Sequence, residues 1–160
     1  MIHLRQIIEL FVSVAVCLGA GFAGSRFTFR SVATWYPTLR KPAWTPPAWL
    51  FAPVWTALYC LMGIAAWLVW NRAGWAATRI PLALFAIQLV LNVAWSGIFF
   101  GWRKPAWALA EIVLLWVAIA ATACEFWPVS RSAAWLLVPY VVWVTYAAAL
   151  NFAIWRLNRE

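Results

Sequence analysis

The chain has 160 residues, of which 67% are hydrophobic and only 10% charged, with a net charge of +8. A water-soluble domain carries about 25% charged and about 45–50% apolar residues, so this composition excludes a dissolved globular domain and points to a membrane protein. The basic residues form no long run and sit between apolar segments, which argues against nucleic acid as a partner.

Taken in chain order, a polar head, "MIHLRQ", precedes the first apolar stretch. Glu9 interrupts that stretch, and "GAGFAGSRF" is a poor cleavage context, so it is read as a retained span over 7–25 rather than a signal peptide. Residues 26–47 read as a long first loop, of the kind that forms lids and binding elements. Four further apolar segments follow, at 48–70, 80–100, 105–126 and 133–156. Each is close to the ~20 residues that a spanning helix needs. The runs do not alternate, and a five-stranded barrel could not close in lipid. The expected fold is all-α: an integral membrane bundle of five transmembrane helices in one domain over 1–160, with the first loop acting as a lid. Pro81 is expected to start the third span, while Pro53 and Pro139 lie inside theirs and are expected to kink them.

Five spans put the termini on opposite sides. Arg5, Arg72, Arg79 and Arg131 fall on the side of the N-terminus. Arg26, Arg30, Arg40, Lys41, Arg103, Lys104, Arg156 and Arg159 fall on the other. The positive-inside rule makes the second side cytoplasmic, with the N-terminus outside. Two copies of "KPAW", at 41–44 and 104–107, then start spans two and four from the cytoplasm. Lys anchors at head groups, Pro presets a first helical turn, and Trp prefers the interface. The anchor role accounts for the second copy. The first, within "TWYPTLRKPAWTPPAW", carries more proline than an anchor needs and reads as a semi-rigid, extended loop.

Polar groups inside the bilayer usually face the bundle interior. Span three carries Gln88 and Asn92 at i,i+4, with Trp95 and Phe99 continuing that face. Span two presents Trp55, Tyr59, Met62 and Ala66. Span five presents Trp143, Ala147 and Leu150, with Tyr140, Tyr146 and Asn151 beside them. Three aromatic stripes, each with an amide or phenol, would suit a flat, rigid, mostly apolar ligand. Helix–helix hydrogen bonding is the alternative role for Gln88 and Asn92. Trp49, Trp67, Trp70, Trp75, Trp102, Trp107, Trp127 and Trp135 fall near span ends, as interfacial belt residues do.

Catalytic material is sparse. The single His, His3, is terminal, so no His-based triad or metal set can form. Cys17, Cys60 and Cys124 lie in apolar runs without CxxC spacing and read as small hydrophobes. Glu111 is the one carboxylate deep in a span. It is expected to pair with Arg103 or Lys104, a ligand contact being the alternative. No metal site and no required cofactor is expected. With no axial histidine to offer, the chain suits a metal-free tetrapyrrole or a sterol better than haem.

"WYPTLRKPAWTPPAWLFAPVWTALY" at 35–59, "QLVLNVAWSGIFFG" at 88–101 and "VPYVVWVTYAAALN" at 138–151 closely resemble the translocator protein family, also known as the tryptophan-rich sensory proteins or peripheral-type benzodiazepine receptors (TspO/MBR). The resemblance covers almost the whole chain. It implies five helices around one ligand cavity, closed by the first loop. It also implies binding of porphyrins such as protoporphyrin IX, of cholesterol in animals, and of synthetic isoquinoline carboxamide and benzodiazepine ligands. Homodimers are implied too. Ligand positions carried over by motif are Trp55, Tyr59, Asn92, Trp95, Trp143 and Ala147, joined by Gln88 from helical spacing. Lid positions are Trp35, Trp44 and Pro47. The animal members carry a Tyr near the end of span five as part of a cholesterol motif. Here the stretch is "LNFAIWR", with Phe152 in that place, so a bacterial, porphyrin-linked role in the cell membrane is the expectation. The alternatives are a transporter of porphyrin or lipid and a light-dependent porphyrin-degrading enzyme.

Overall fold

A computed structural model describes residues 4–159, with Trp75 described by its backbone alone. His3 lies outside the described residues. The helices are α1 (Leu4–Thr34), α2 (Phe51–Arg72), α3 (Trp75–Ser96), α4 (Pro105–Val129), α5 (Arg131–Leu136) and α6 (Val138–Leu157). Five apolar segments are long enough to cross a membrane: Leu4–Thr34, Ala48–Arg72, Ala76–Gly101, Pro105–Val129 and Arg131–Leu157. The protein is therefore a five-span, all-helical membrane bundle.

Helices α1 and α2 pack together, α1 also packs on α3, α3 on α4, and α4 on α6, while α2 meets α5. The spans thus form a ring in the order two, one, three, four, five. Leu4, Phe11, Phe22, Val90, Leu114 and Val142 stand exposed on its outside, as a lipid-facing surface requires. The core inside is built from Met62, Phe85, Phe99, Ile112, Ile119, Phe126 and Tyr140. Gly63 sets the closest approach of α1 and α2, because a Cβ there would meet the Val14 backbone. Ser13 Oγ donates to the carbonyl of Gly63 at 2.8 Å across that contact.

Three sequence expectations change. Helix α1 runs nine residues past the expected end of span one, so Arg26 and Arg30 are helical. The connection is left as 35–47, with short 3-10 turns at Tyr36–Thr38 and, beyond it, Ala48–Leu50. The segment after Gly24 is polar but contains no proline before Pro37, so nothing breaks the helix there. Pro81 lies inside α3 rather than starting it, because Gly74 caps the helix seven residues earlier. Pro53 sits in the first turn of α2 and has no long ladder to kink. Pro139 does interrupt span five. It stands in the first turn of α6, and α5 ends one turn before it at Leu136.

The end of span three is wound as a π turn over Gly97–Gly101, with Trp102 N–H donating to Gly97 O at 2.8 Å. The extra residue turns Phe99 and Phe100 inward, where both are buried. Ser31 Oγ, from α1, donates to the carbonyl of Phe100 at 2.5 Å. Arg103 follows at a φ of 56°, a left-handed position uncommon outside glycine, and turns the chain into α4.

Candidate functional site

The site forms where α1, α2 and the end of α3 separate beneath the first loop. A cavity of about 420 Å³ opens there. Helix α2 contributes Phe51, Trp55 and Tyr59, one face at i, i+4 and i+8. Span three contributes Trp95, Ser96 and Phe100, and the first loop contributes Tyr36. Helix α1 lines the third side with small and hydroxylated residues, including Gly21, Gly24, Ser25 and Thr28. Gly21 faces the Tyr59 ring so closely that a Cβ would collide with it. Ser25 and Thr28 give their hydroxyl hydrogens to Phe22 O and Gly24 O in their own helix, which leaves the wall mostly apolar.

Aromatic rings continue from the wall into the bundle. Trp55 stacks on Tyr59 with centroids 5.6 Å apart and meets Trp143 edge-on at 6.5 Å. Phe51 also meets Trp143 edge-on, at 6.0 Å. Trp95 stacks on Phe99 at 5.2 Å. Behind the wall, Tyr59 Oη donates to Asn92 Oδ1 at 2.5 Å, and Asn92 Nδ2 donates to Tyr140 Oη at 2.8 Å. Trp95 Nε1 donates to Asn151 Oδ1 at 3.2 Å, and Asn151 Nδ2 to Pro105 O at 2.8 Å. These chains tie spans two, three, four and five together around the cavity.

Of the expected ligand residues, Trp55, Tyr59 and Trp95 line the cavity. Asn92 stands one hydrogen bond behind it and acts as both wall support and interhelical link. Gln88 is buried a turn deeper, its Nε2 3.9 Å from Met62 Sδ. Trp143 reaches the wall through Trp55 and Phe51. Ala147 packs half-buried against the core, away from the cavity lining.

Two of the residues expected to form the lid are held against the bundle. Trp35 packs edge-on against Phe99 at 5.7 Å. Trp44 packs edge-on against Tyr146, whose Oη donates to Trp44 O at 2.7 Å. Pro47, extended, caps the turn that leads into α2. Lys41 is the loop's internal staple. Its ammonium donates to Tyr36 O at 2.7 Å and Leu39 O at 3.0 Å, and stands 4.9 Å from the Tyr36 ring centroid. The equivalent Lys104 of the second KPAW is exposed at the start of α4. The two lysines therefore differ in their surroundings.

Sequence reasoning missed Tyr36, Phe100 and the α1 wall. Tyr36 is buried against Phe100, and its hydroxyl has no partner among the described residues. Burial pushes that phenol up to about 12, with Tyr146 adding to the rise, so it stays a neutral donor at the cavity wall. The α1 wall was legible in principle, since Leu18, Gly21, Ser25, Thr28 and Val32 repeat at helical spacing.

One expectation fails outright. Glu111 makes no ion pair with Arg103 or Lys104; both its oxygens are buried without a hydrogen-bond partner among the described residues. The ion pair found among the described residues is Arg5 with Glu9. Arg103 and Lys104 turn outward at the bundle end, while Glu111 is carried inward on the buried stripe of α4.

These features define a membrane protein of the helical-bundle class with an aromatic chamber between its first three spans, bordered by a stapled loop and open on the α1 side. The model of the TspO/MBR family matches residues 13–156. Tryptophan-rich protein TspO of Chlorobaculum tepidum is 47% identical over 156 residues, covering 96% of this chain and 98% of the relative. The human Translocator protein is 43% identical over 148 residues, covering 91% and 87%. Tryptophan-rich sensory protein of Cereibacter sphaeroides is 43% identical over 124 residues, covering 78% and 77%. The chain belongs to the TspO/MBR family.

Proposed function

We propose that the protein is a membrane receptor that binds porphyrins and related flat, apolar ligands in this chamber and so modulates tetrapyrrole handling. The observation that carries the reading is the chamber's wall. Trp55, Tyr59, Trp95, Phe100 and Tyr36 present aromatic surface around about 420 Å³, within the ~300–1,000 Å³ of small-molecule sites. Aromatic faces favour a flat conjugated ring by stacking. The KPAW staple and the Trp44–Tyr146 contact support the first loop as lid.

The reading includes a bacterial cell-membrane location with the N-terminus outside and the C-terminus cytoplasmic, from the eight-to-four split of cations. Cysteine-accessibility labelling at position 158 checks it; modification from outside intact cells would reverse the orientation. A homodimer is also part of the reading, checked by the mass of the particle in nanodiscs.

The test of function is titration of purified protein with protoporphyrin IX in the dark and in light, with product analysis. Saturable dark binding without new product supports a receptor. Turnover in light that is lost with Trp143→Phe would replace it with the enzymatic reading, for which the Trp55–Trp143 contact offers an electron path.

A further inference from the structure

Among the described residues Glu111 is the one buried carboxyl, and no part of the chamber's binding role uses it. It stands on the stripe of α4 formed by Ala108, Glu111, Ile112, Leu115 and Ile119, all of them buried. Its residue is 8% exposed, and neither carboxyl oxygen has a hydrogen-bond partner among the described residues. An ionised carboxylate in this position would cost several kcal/mol in lost hydration with nothing to offset it. The neutral carboxyl costs far less.

The elements packed against α4 offer no compensating charge. Helix α3 carries Arg79, exposed at the far end, and the π turn carries no ionisable group. Helix α5 carries Arg131, also exposed at the far end. Helix α2 contributes Tyr59 and Cys60, with Arg72 at its far terminus. Helix α6 contributes Tyr140 and Tyr146, with Arg156 exposed near its end.

What α6 does offer is unused hydrogen-bond donors. Trp143 Nε1 is buried with no acceptor among the described residues. Tyr140 Oη accepts from Asn92, so that bond does not take up its own hydrogen. The Tyr140 hydroxyl and the Glu111 carboxyl are near enough to interact electrostatically. Donors without acceptors on α6 and an acceptor without donors on α4 thus lie on two helices that pack together. Both donors adjoin the chamber: Tyr140 through Asn92 and Tyr59, Trp143 through Trp55.

We propose that Glu111 is a proton-binding site inside the membrane, filled when the chamber has the form described here, and that loss of its proton draws Tyr140 and Trp143 toward the carboxylate and weakens ligand binding. In that step the carboxyl O–H bond breaks and the proton leaves to the aqueous phase at the loop end, about 9 Å away along α4 from Glu111 to Pro105. The inference rests on the ligand-binding reading of the chamber and adds its regulation. Protonated Glu111 leaves the aromatic wall undisturbed; the carboxylate competes for the donors that hold it.

Infrared spectroscopy of ligand-free protein in nanodiscs reads the proton directly. A chain with Glu9, Glu125 and Glu160 changed to Gln keeps Glu111 as its one side-chain carboxyl, the chain having no Asp. It should show a protonated-carboxyl C=O band at neutral pH that shifts in D₂O. Glu111→Gln should lack the band, and Glu111→Asp should restore one at a shifted position. Absence of the band at neutral pH in the folded triple variant overturns the proton site. In the second arm, protoporphyrin IX is titrated from neutral to mildly alkaline pH. Wild-type affinity should fall several-fold while Glu111→Gln stays flat. A parallel fall in both variants overturns the coupling. If the wild type binds no porphyrin at any pH, the receptor reading fails, and the infrared band still decides the proton site by itself.

Discussion

Asn158 grips Arg40 across 118 residues of sequence by pairing with its backbone from both sides. The Arg40 N–H donates to Asn158 Oδ1 at 3.0 Å, and Asn158 Nδ2 donates to Arg40 O at 2.9 Å. The end of α6 thus holds the first loop where it returns toward α2. Each such bond contributes about 0.5–1.5 kcal/mol net. Both bonds are exposed to water, so Asn158→Ala should favour loop opening by about 1 kcal/mol and shorten ligand residence several-fold. The bundle core would be intact. Stopped-flow dissociation of porphyrin checks this; an unchanged off-rate would mean that the loop does not gate the chamber.

The two KPAW copies give a paired test of the loop's rigidity. Pro46 and Pro47 precede the turn entering α2, whereas Pro105 merely opens α4 and offers its carbonyl to Asn151. A compatible proline lowers the entropy of the open chain by about 0.4–1 kcal/mol. Pro46→Ala with Pro47→Ala should weaken porphyrin binding several-fold. Pro105→Ala should leave it nearly intact, because Ala keeps the carbonyl that Asn151 uses. Matched affinities, in variants of equal thermal stability, would reduce the first copy to an anchor.

Tyr36 predicts a response to alkaline pH. Its phenol is moved from the ordinary 10.0 to about 12, first by burial and then by Tyr146. With the packed-loop value raised, burying the neutral phenol adds stability that is complete below pH 10 and is lost as pH rises toward 12. The contribution is at most about 2–3 kcal/mol. Thermal unfolding of the wild type should show an extra loss across that window, and Tyr36→Phe should remove it. An identical alkaline profile in the two proteins would place the Tyr36 hydroxyl in water.

The five spans were legible because twenty-residue apolar runs have few other structural solutions in a membrane. The stripes bearing Trp55, Tyr59 and Trp95 were legible because helical spacing puts them on one face. The ends of elements were harder to read. Nothing in "SRFTFRSVAT" is apolar enough to mark a span, yet α1 continues through it to Thr34. Its Ser31 caps Phe100 O and its Thr28 lines the cavity, and both are tertiary facts. The π turn, which decides where Phe99 and Phe100 point, has no local signal beyond Gly97 and Gly101. Glu111 was misread because sequence distance puts Arg103 and Lys104 within reach, while both lie exposed in the turn before α4 and Glu111 is buried nearly two turns into the helix.

The central claim is that the chamber between α1, α2 and α3 holds a flat aromatic macrocycle. Dark titration of protoporphyrin IX into nanodiscs tests it most directly, with wild type, Trp95→Ala and Trp135→Phe compared. Trp95 is buried on the wall, whereas Trp135 is exposed on α5 and outside the cavity lining. Saturable binding is predicted, weakened by about 0.5–1.5 kcal/mol beyond lost contact area in Trp95→Ala and unchanged in Trp135→Phe. Unsaturable uptake, or equal loss in both variants, would contradict it.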